Sequence, residues 1–323
     1  MVVVAGAGPA GATVATLLAR AGRDVVLVDR PREGRAVGEH LPAAARPLLH
    51  RLGLHHLLDG HEPCVGLASV WRGVCTERAA IGDPLGAGTL LDRRRFDDDL
   101  RREAVEAGVL FVDGRIREVT PHGDGLDVSG AWEGRAEMVV DATGRASHIA
   151  RQLGREVQRQ GRSVAWCRWQ HDVHADRRLR VEDTDDGWFY TAPLPGGERV
   201  VVWHRPDGAR VTAADFDAAL DRAPTVRARA GGTWVDGPVG RSAAGQRLPS
   251  PCGPGWWAVG DAAMAFDPIS SQGLLTALAG AEQLVAALGA GSPASYPRWC
   301  DRVWSRYVRE RDRLGAPARI AAS

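Results

Sequence analysis

The chain has 323 residues, with 41 cationic side chains against 40 anionic ones and a formal net charge of +1. This balance argues against a polybasic nucleic-acid binder. All the cationic side chains are arginine, which excludes any reaction that needs a lysine ε-amine. Five cysteines form no CxxC pair, a pattern that favours a reducing, cytoplasmic setting over a zinc cage or a disulfide framework. The apolar stretch at residues 1–5 is too short to span a membrane.

A glycine-rich turn lies between a β-branched strand and a helix at the start of the chain. The strand is predicted at residues 2–5, and the turn GAGPAG follows at residues 6–11. In such a unit the glycines permit a tight turn, and backbone amides and the helix N-terminus approach a pyrophosphate. A second apolar strand ends in Asp29, whose carboxylate would accept hydrogen bonds from an adenosine ribose and favours FAD or NAD over NADP. The predicted dinucleotide contacts are Gly6, Gly8, Pro9, Ala10, Gly11, Asp29 and Arg30.

Two later segments repeat the pattern of a strand that ends in small residues and an aspartate. The first is MVVDATGRAS at residues 138–147, and the second is WWAVGDAA at residues 256–263, followed by FDPISSQG at residues 266–273. With GEHLP at residues 38–42 and LDR at residues 91–93, these segments resemble the FAD-dependent monooxygenase and flavin-dependent halogenase-like superfamily. Within it, the chain resembles the halogenase-like oxidoreductases that include flavoproteins of tryptophylquinone maturation.

The resemblance implies an α/β fold in which a glutathione-reductase-like Rossmann FAD-binding domain carries an interleaved antiparallel β-sheet substrate domain. Strand patterns with glycine and proline turns at residues 163–235 agree with such a sheet. We therefore expect a discontinuous FAD-binding domain of residues 1–63, 92–161 and 240–290, a substrate-binding sheet domain of residues 64–91 and 162–239, and a C-terminal helix within residues 291–323.

The resemblance also implies contacts to FAD beyond the first unit. It places Asp261 against the ribityl and pyrophosphate part of the cofactor and Arg93 at its phosphates. A helix that begins near Gly273 would direct its amides to the flavin pyrimidine edge, where negative charge accumulates on reduction. The further expected contacts are Glu39, Arg93, Ile116, Gly144, Gly260, Asp261, Gln272, Gly273 and Leu274. No second GxGxxG follows a strand, so we expect electrons from docked NAD(P)H, a separate flavin reductase or the substrate.

Tryptophans concentrate in the expected substrate sheet. Five of the 11 lie in its second segment, residues 162–239, at positions 166, 169, 188, 203 and 234. A pocket lined by tryptophan suits a planar aromatic substrate, and the alternative is that most of these residues form the sheet core. The predicted substrate contacts are Trp166, Trp188, Pro268, Ile269 and Ser270. His40, Tyr190 and His204 are the candidates for a general base that deprotonates a phenol or indole, with a structural role as the alternative for each.

The segment GWFYTAPL at residues 187–194 resembles the halogenase segment GWxWxIP, with Tyr190 and Ala192 as departures. Halogenases of this superfamily also use a lysine that captures hypohalous acid, and this chain has none. Arginine does not replace that lysine, because its guanidinium stays protonated. We therefore expect an FAD-dependent monooxygenase that hydroxylates an indole, tryptophan-type or phenolic substrate, free or peptide-borne, through a flavin C4a-hydroperoxide. The alternatives are an FAD oxidase or reductase of the same fold and a non-catalytic flavin-binding maturation partner.

A short cluster of histidines and aspartates offers the residue types of a metal site. His171 and His174 lie beside Asp172 and Asp176. The cluster falls where a predicted strand gives way to a charged loop, which is typical of a solvated polar turn. We therefore predict no metal site in this chain.

Overall fold

The structure is a computed structural model that describes residues 1–30, 34, 35, 37 and 40–314. Its helices lie mostly in the first 110 and the last 110 residues of the chain. The helices are α1 (Pro9–Arg20), α2 (Ala45–Leu52), α3 (Arg93–Glu106), α4 (His148–Gln152), α5 (Ala213–Leu220), α6 (Pro224–Arg227), α7 (Gly273–Gly289) and α8 (Ser295–Leu314).

The strands are short and distributed along the whole chain. They are β1 (Val2–Ala5), β2 (Val25–Asp29), β3 (His40–Leu41), β4 (Glu62–Cys64), β5 (Gly66–Trp71), β6 (Val74–Ala79), β7 (Gly88–Leu90), β8 (Leu110–Asp113), β9 (Ile116–His122), β10 (Gly125–Gly130), β11 (Gly134–Ala136), β12 (Met138–Asp141), β13 (Gln158–Gln160), β14 (Val164–His171), β15 (Arg178–Thr184), β16 (Gly187–Leu194), β17 (Glu198–Arg205), β18 (Val239–Ser242), β19 (Gly245–Arg247), β20 (Cys252–Gly253), β21 (Trp256–Ala258) and β22 (Met264–Ala265).

A six-stranded sheet in the order β20-β21-β12-β1-β2-β8 forms the centre of the first half of the fold, and only β20 runs antiparallel to its neighbour. Parallel strands covered on both faces need apolar side chains on both faces. Accordingly, Val2 and Val4 pack in a cluster with α1, α3 and α7, while Val3 packs against the three-stranded sheet β9–β11. The valine run at the start of the chain therefore builds a strand with no exposed face.

A seven-stranded sheet in the order β18-β14-β17-β16-β15-β5-β6 forms the second half, and β5 and β15 are its one parallel pair. Strands β14, β16 and β17 lie within residues 163–235, where the sequence predicts strands. Strand β18 extends the sheet to Ser242, three residues beyond the expected boundary at residue 239. Because side chains alternate along a strand, this sheet has two distinct faces. One face packs against α5 and α6 around Phe216, and the other turns towards the six-stranded sheet.

Among the described residues, no helix has both the length and the apolar composition needed to cross a bilayer. Helix α8, expected as a packed C-terminal helix, lies against α7 and buries Tyr296, Trp304 and Tyr307 in the same cluster as α1. The phenol of Tyr296 donates a hydrogen bond to the carbonyl of Ala258, at the end of β21. These contacts fix α8 against α7 and the end of β21.

Candidate active site

A cavity of about 1900 Å³ lies between the two sheets. Ligand pockets for one small molecule usually measure roughly 300–1,000 Å³. The cavity is therefore large enough for a dinucleotide together with a second molecule. The six-stranded sheet supplies one wall through its strand ends and helix N-termini, which we call the nucleotide wall. The seven-stranded sheet supplies the other through side chains of β14–β17, which we call the aromatic wall.

The glycine turn after β1 forms the centre of the nucleotide wall. Gly6, Gly8, Pro9 and Ala10 line the cavity. Gly6 has a φ of 105°, and a Cβ built on it would lie 2.3 Å from the carbonyl oxygen of Ala142. No described side chain caps the N-terminus of α1, and its first turn carries no acidic residue. Free N–H groups and the positive end of the helix dipole therefore face the cavity, which suits a pyrophosphate.

Two expected cofactor contacts, Gly11 and Gly260, lie behind this wall and do not line the cavity. A Cβ on Gly11 would lie 1.9 Å from the carbonyl oxygen of Gly6. A Cβ on Gly260 would lie 2.6 Å from the Cβ of Ala10, and Gly260 also has a φ of 61°. The expectation of direct contact is therefore corrected at both positions. These glycines allow chain segments to pack closely behind the cofactor site.

Polar groups of the nucleotide wall extend the site on either side of the glycine turn. The Asp29 carboxylate accepts hydrogen bonds from the backbone N–H groups of Ala7 and Arg30, both at 3.0 Å. The Arg93 guanidinium, at the start of α3, donates to the carbonyl of Val37 at 2.7 Å. Asp29, Arg30, Arg93 and Ile116 all line the cavity, whereas Glu39 lies outside the described residues.

A second helix N-terminus, that of α7, reaches the cavity at Gln272, Gly273 and Leu274. No described side chain caps this helix, and its first turn has no acidic residue. A Cβ on Gly273 would find no described heavy atom within 4 Å, so the backbone here opens onto the cavity. Pro268 and Ile269 line the cavity from the turn Pro268–Ser270 that precedes the helix. The arrangement suits a ring system that becomes negatively charged.

Arg145 lines the cavity and joins two distant chain segments, and the sequence did not predict it as a site residue. Its guanidinium donates to the carbonyls of Ala244 and Phe266, each at 2.6 Å, and Arg145 lines the cavity. Its neighbour Gly144 also lines the cavity, at a φ of 67°. The partners of Arg145 are about a hundred residues away in the chain, and the motif around Gly144 is the one sequence signal that marks the position.

The Asp261 carboxylate lies 3.6 Å from the Arg145 guanidinium. Although 40% of the Asp261 side chain is exposed, the exposed part faces the cavity. Burial raises the pKa of Asp261, and the positive charges of Arg145 and Arg93 oppose that rise. Asp261 is thus a polar group at the cavity surface between the glycine turn and α7, as expected of a contact to the middle of a dinucleotide.

The aromatic wall is built around a stacked pair. Trp188 and His204 are directly opposite each other on β16 and β17, and their rings stack at a centroid distance of 3.9 Å and an interplanar angle of 13°. Tyr190, two residues along β16, lies 6.3 Å from Trp188 between ring centroids. All three line the cavity, among apolar neighbours such as Val181 and Val202. The wall is therefore aromatic, apolar and poor in charge.

Both candidate histidines are neutral in the folded protein. Burial lowers the pKa of His204 to about 3 and that of His40 to about 4. Neither ring nitrogen of His204 has a hydrogen-bond partner among the described residues, and Nδ1 of His40 has none there either. A general base works best with a pKa near the working pH. Both histidines line the cavity, and they suit neutral hydrogen bonding better than proton abstraction.

The prediction of a substrate contact at Trp166 is wrong. Its neighbours Ala165 and Cys167 line the cavity, so Trp166 points to the opposite face of β14. There its indole N–H donates to the carbonyl of Ala209 at 3.1 Å, and its ring packs in the cluster around Phe216. Trp203 and Trp234 belong to the same cluster. Of the five tryptophans in the sheet region, the structure therefore places Trp188 in the cavity wall.

The two aspartates considered as metal ligands are bound by arginines. Asp172 accepts hydrogen bonds from the fully buried guanidinium of Arg199, at 3.0 and 3.1 Å. Asp176 accepts from Arg178 at 2.8 Å and from Arg180 at 2.7 Å. These carboxylate oxygens neutralise the charges of Arg178, Arg180 and Arg199 at one end of the sheet. They stabilise the fold rather than form an open ligand set.

Two family models match the chain. The model of an FAD binding domain matches residues 1–58, which include the glycine turn and Asp29. The model described as tryptophan halogenase matches residues 84–313, more than half of the chain and most of both cavity walls. Most of the residues that line the cavity fall within the two matched ranges.

Individual relatives cover most of the chain. It is 30% identical over 302 residues to menaquinone reductase of Mycolicibacterium smegmatis, covering 84% of this chain and 72% of that protein. It is 29% identical over 311 residues to digeranylgeranylglycerophospholipid reductase 1 of Methanopyrus kandleri, covering 86% and 77%. Among solved structures, peptidyl tryptophan dihydroxylase QhpG, essential for tryptophylquinone cofactor biogenesis, superposes with a TM-score of 0.78 at 28% identity, over 98% of this chain and 77% of that one. The chain therefore belongs to the flavin-dependent halogenase-like superfamily and is an FAD-dependent oxidoreductase.

Proposed function

We propose that the protein is an FAD-dependent monooxygenase that hydroxylates an aromatic substrate of the indole, tryptophan or phenol type. The observation that carries this proposal is the Trp188–His204 stack, with Tyr190 beside it, in the wall of the cavity that the N-terminus of α7 also lines. An aromatic ring bound beside these side chains would gain edge and face contacts with other aromatic rings. The 28% identity to a peptidyl tryptophan dihydroxylase supports the same substrate class.

The nucleotide wall has the groups needed to hold FAD. The N-terminus of α1 would take the pyrophosphate, with Arg93 at its phosphates, Asp29 would bind the ribose, and α7 would lie beside the flavin pyrimidine edge. FAD, once reduced, supplies the chemistry by activating dioxygen. We propose that its electrons come from transiently docked NAD(P)H or from a separate flavin reductase.

The aromatic wall would contribute exclusion of water and placement of the ring. Leu179, Val181, Ala192 and Val202 surround the stacked pair with apolar surface, which keeps water from the reacting atoms. Tyr190 adds a hydroxyl within this surface. His204 stays uncharged at neutral pH, because burial lowers its pKa to about 3, so the wall remains apolar and uncharged. Halogenation is disfavoured, because the chain contains no lysine to capture hypohalous acid.

Isotope incorporation tests this proposal directly. The FAD-loaded protein, reduced chemically and mixed with ¹⁸O₂ and N-acetyltryptophanamide, indole or phenol, is expected to give a product that carries one ¹⁸O atom. The same mixture without protein is the control. Hydrogen peroxide formed without labelled product from any of the three substrates would contradict the proposal and indicate an oxidase.

A second candidate function is reduction of a quinone or isoprenoid substrate, which the 30% identity to menaquinone reductase favours. The discriminating experiment is anaerobic. Reduced FAD-loaded protein is mixed with a short-chain menaquinone, and flavin reoxidation is followed by absorbance. Reoxidation with a product that has gained two hydrogen atoms would favour the reductase. A protein active in neither experiment would be the non-catalytic flavin-binding partner.

A further inference from the structure

Strand β6 forms a free edge of the seven-stranded sheet. It pairs with β5 through a two-residue turn at Arg72 and Gly73, whose positive φ angles of 53° and 75° suit a tight hairpin. In the described part of the chain, no strand pairs with its outer edge, and all six residues of β6 are exposed. An edge of this kind presents backbone donors and acceptors that another strand can pair with.

The register shows which backbone groups of β6 point outwards. In an antiparallel pair, alternate residues direct their N–H and C=O groups to the partner strand. Just beyond β6, the Ala80 N–H donates to the carbonyl of Val65 at 2.9 Å, on the inner side. Even-numbered residues therefore face β5. The backbone groups of Cys75, Glu77 and Ala79 point outwards.

This edge continues into the mouth of the candidate active site. Arg78 and Ala79, at the end of β6, line the cavity, as does Asp83 in the segment that follows. Arg78 is opposite Leu67 in the register, and Leu67 also lines the cavity. The face of the sheet that forms the aromatic wall thus extends across β15 and β5 to β6. A strand added to β6 would direct alternate side chains to the cavity side.

The surface beside the edge combines exposed apolar side chains with the charged residues Glu77 and Arg78 of β6, and it lacks two of the usual features that prevent strand pairing. Ile81 is 98% exposed, and Val74 is 63% exposed on the cavity side of β6. The pairing of β5 with β6 contains no bulge, and β6 contains no proline. Proteins commonly use bulges, prolines or charges to block an open edge. Here the edge is regular, flanked by exposed apolar side chains and connected to the cavity.

We propose that β6 binds an extended peptide as an eighth strand, and that the aromatic substrate is a side chain of that peptide. This inference rests on the proposed aromatic hydroxylation. Backbone pairing with Cys75, Glu77 and Ala79 would hold the peptide with little dependence on its sequence, while an alternate side chain enters the cavity mouth. The exposed side chains of Val74 and Ile81 would contact apolar residues beside the aromatic one.

A matched pair of variants at Glu77 tests this proposal. Glu77→Pro removes the outward backbone N–H of residue 77 without removing a β5–β6 hydrogen bond. Glu77→Ala keeps that N–H. Both variants lose the 3.5 Å ion pair between Glu77 and Arg178, so this loss is the same in the two. The probes are a 12-residue peptide with a central tryptophan and N-acetyltryptophanamide. We expect the KM for the peptide to rise about tenfold in Glu77→Pro alone, the loss typical of one or two hydrogen bonds. The KM for the amide is expected to stay unchanged in both variants.

Hydrogen exchange gives a readout that needs no turnover and no variant. With the oxidised FAD-loaded protein, the peptide should slow exchange of the Cys75, Glu77 and Ala79 amides about tenfold or more. Absence of this protection, or an equal KM for the peptide in Glu77→Pro and Glu77→Ala, would overturn the proposal. If the same amides become protected when the protein concentration is raised without peptide, β6 pairs with a second copy of the chain. That result would also overturn the proposal. If neither probe is hydroxylated, the proposed function fails, and the exchange data still decide whether β6 binds a peptide.

Discussion

The two walls of the cavity are built in different ways. The nucleotide wall depends on backbone, with Gly6 and Gly8 after β1, the bare N-termini of α1 and α7, and open space above Gly273. The aromatic wall depends on side chains that alternate along β16 and β17, above all Trp188 and His204. The first wall recognises a feature common to all dinucleotides, and the second can change its substrate by changing single side chains.

Because of this difference, we expect the nucleotide wall to determine the stability of the fold and the aromatic wall to determine specificity for the substrate. A side chain added to the glycine turn would collide with main-chain atoms, which cannot move without disturbing the central sheet. A side chain removed from the aromatic wall leaves the hydrogen-bonded ladder of the sheet intact. We therefore expect substitutions in the nucleotide wall to affect folding and FAD binding, and substitutions in the aromatic wall to affect mainly turnover of the aromatic substrate.

The largest effect is expected from Gly11→Ala. Alanine is usually more favourable than glycine inside a helix by about 1 kcal/mol. Here the new Cβ would lie 1.9 Å from the carbonyl oxygen of Gly6 and 2.8 Å from the Cβ of Ala142. We expect the free energy of unfolding to fall by about 3 kcal/mol and FAD to be lost, as measured by urea unfolding and by flavin absorbance after gel filtration.

Gly280→Ala in α7 is the matched control. The nearest atoms to its new Cβ belong to the Trp299 ring and lie 3.5 Å away, an ordinary contact. The same substitution should therefore raise the free energy of unfolding by about 1 kcal/mol. A Gly11→Ala protein that keeps the wild-type stability and retains FAD would show that the glycine turn is more adaptable than the backbone contacts indicate.

The nucleotide wall was largely predictable from the sequence, because its parts are local. Gly6, Gly8 and Asp29 lie within one strand–turn–helix–strand unit, and the spacing of that unit is itself the signal. The Pro268–Ser270 turn and the start of α7 likewise follow one another directly. In such a wall, neighbours in the sequence are also neighbours in the site.

The rest of the site depends on contacts that no local pattern records. Trp166 and Trp188 are both tryptophans in predicted strands. Alternation along a strand assigns each of them to a face of the sheet only when the strand pairing is known and the face that lines the cavity is known. Arg145 hydrogen-bonds to carbonyls 99 and 121 residues further along the chain. Pairing and long-range contacts are consequences of the tertiary fold.

The second prediction tests the two faces of the aromatic sheet. Trp188→Ala should lower kcat/KM for N-acetyltryptophanamide about 100-fold, because the lost contact of a buried aromatic ring is worth roughly 2–3 kcal/mol. Trp166→Ala should lower the free energy of unfolding by about 2 kcal/mol, since its ring packs against the Phe216 cluster. In Trp166→Ala, kcat/KM should stay within about twofold of wild type, measured by steady-state kinetics well below the unfolding temperature.

The smallest expected effect concerns the charge of the aromatic wall. It is measured as a dependence of the free energy of unfolding on pH. Burial lowers the pKa of His204 from 6.5 to about 3. Above pH 6.5, His204 is neutral in both states, and its contribution to stability is complete. Between pH 6.5 and 3 the unfolded chain binds a proton that the folded protein does not, so the free energy of unfolding falls with decreasing pH by up to about 1.4 kcal/mol per pH unit.

His204→Phe preserves a ring that can stack on Trp188 and removes the titrating group. Urea unfolding of both proteins at pH 7, 6 and 5 should give a variant whose stability depends less on pH, by about 1 kcal/mol per pH unit between pH 6 and 5. His40 contributes a similar slope down to about pH 4 in both proteins, so it cancels in the comparison. Equal slopes would mean that His204 accepts a proton in the folded state, and the aromatic wall would then carry positive charge beside the substrate.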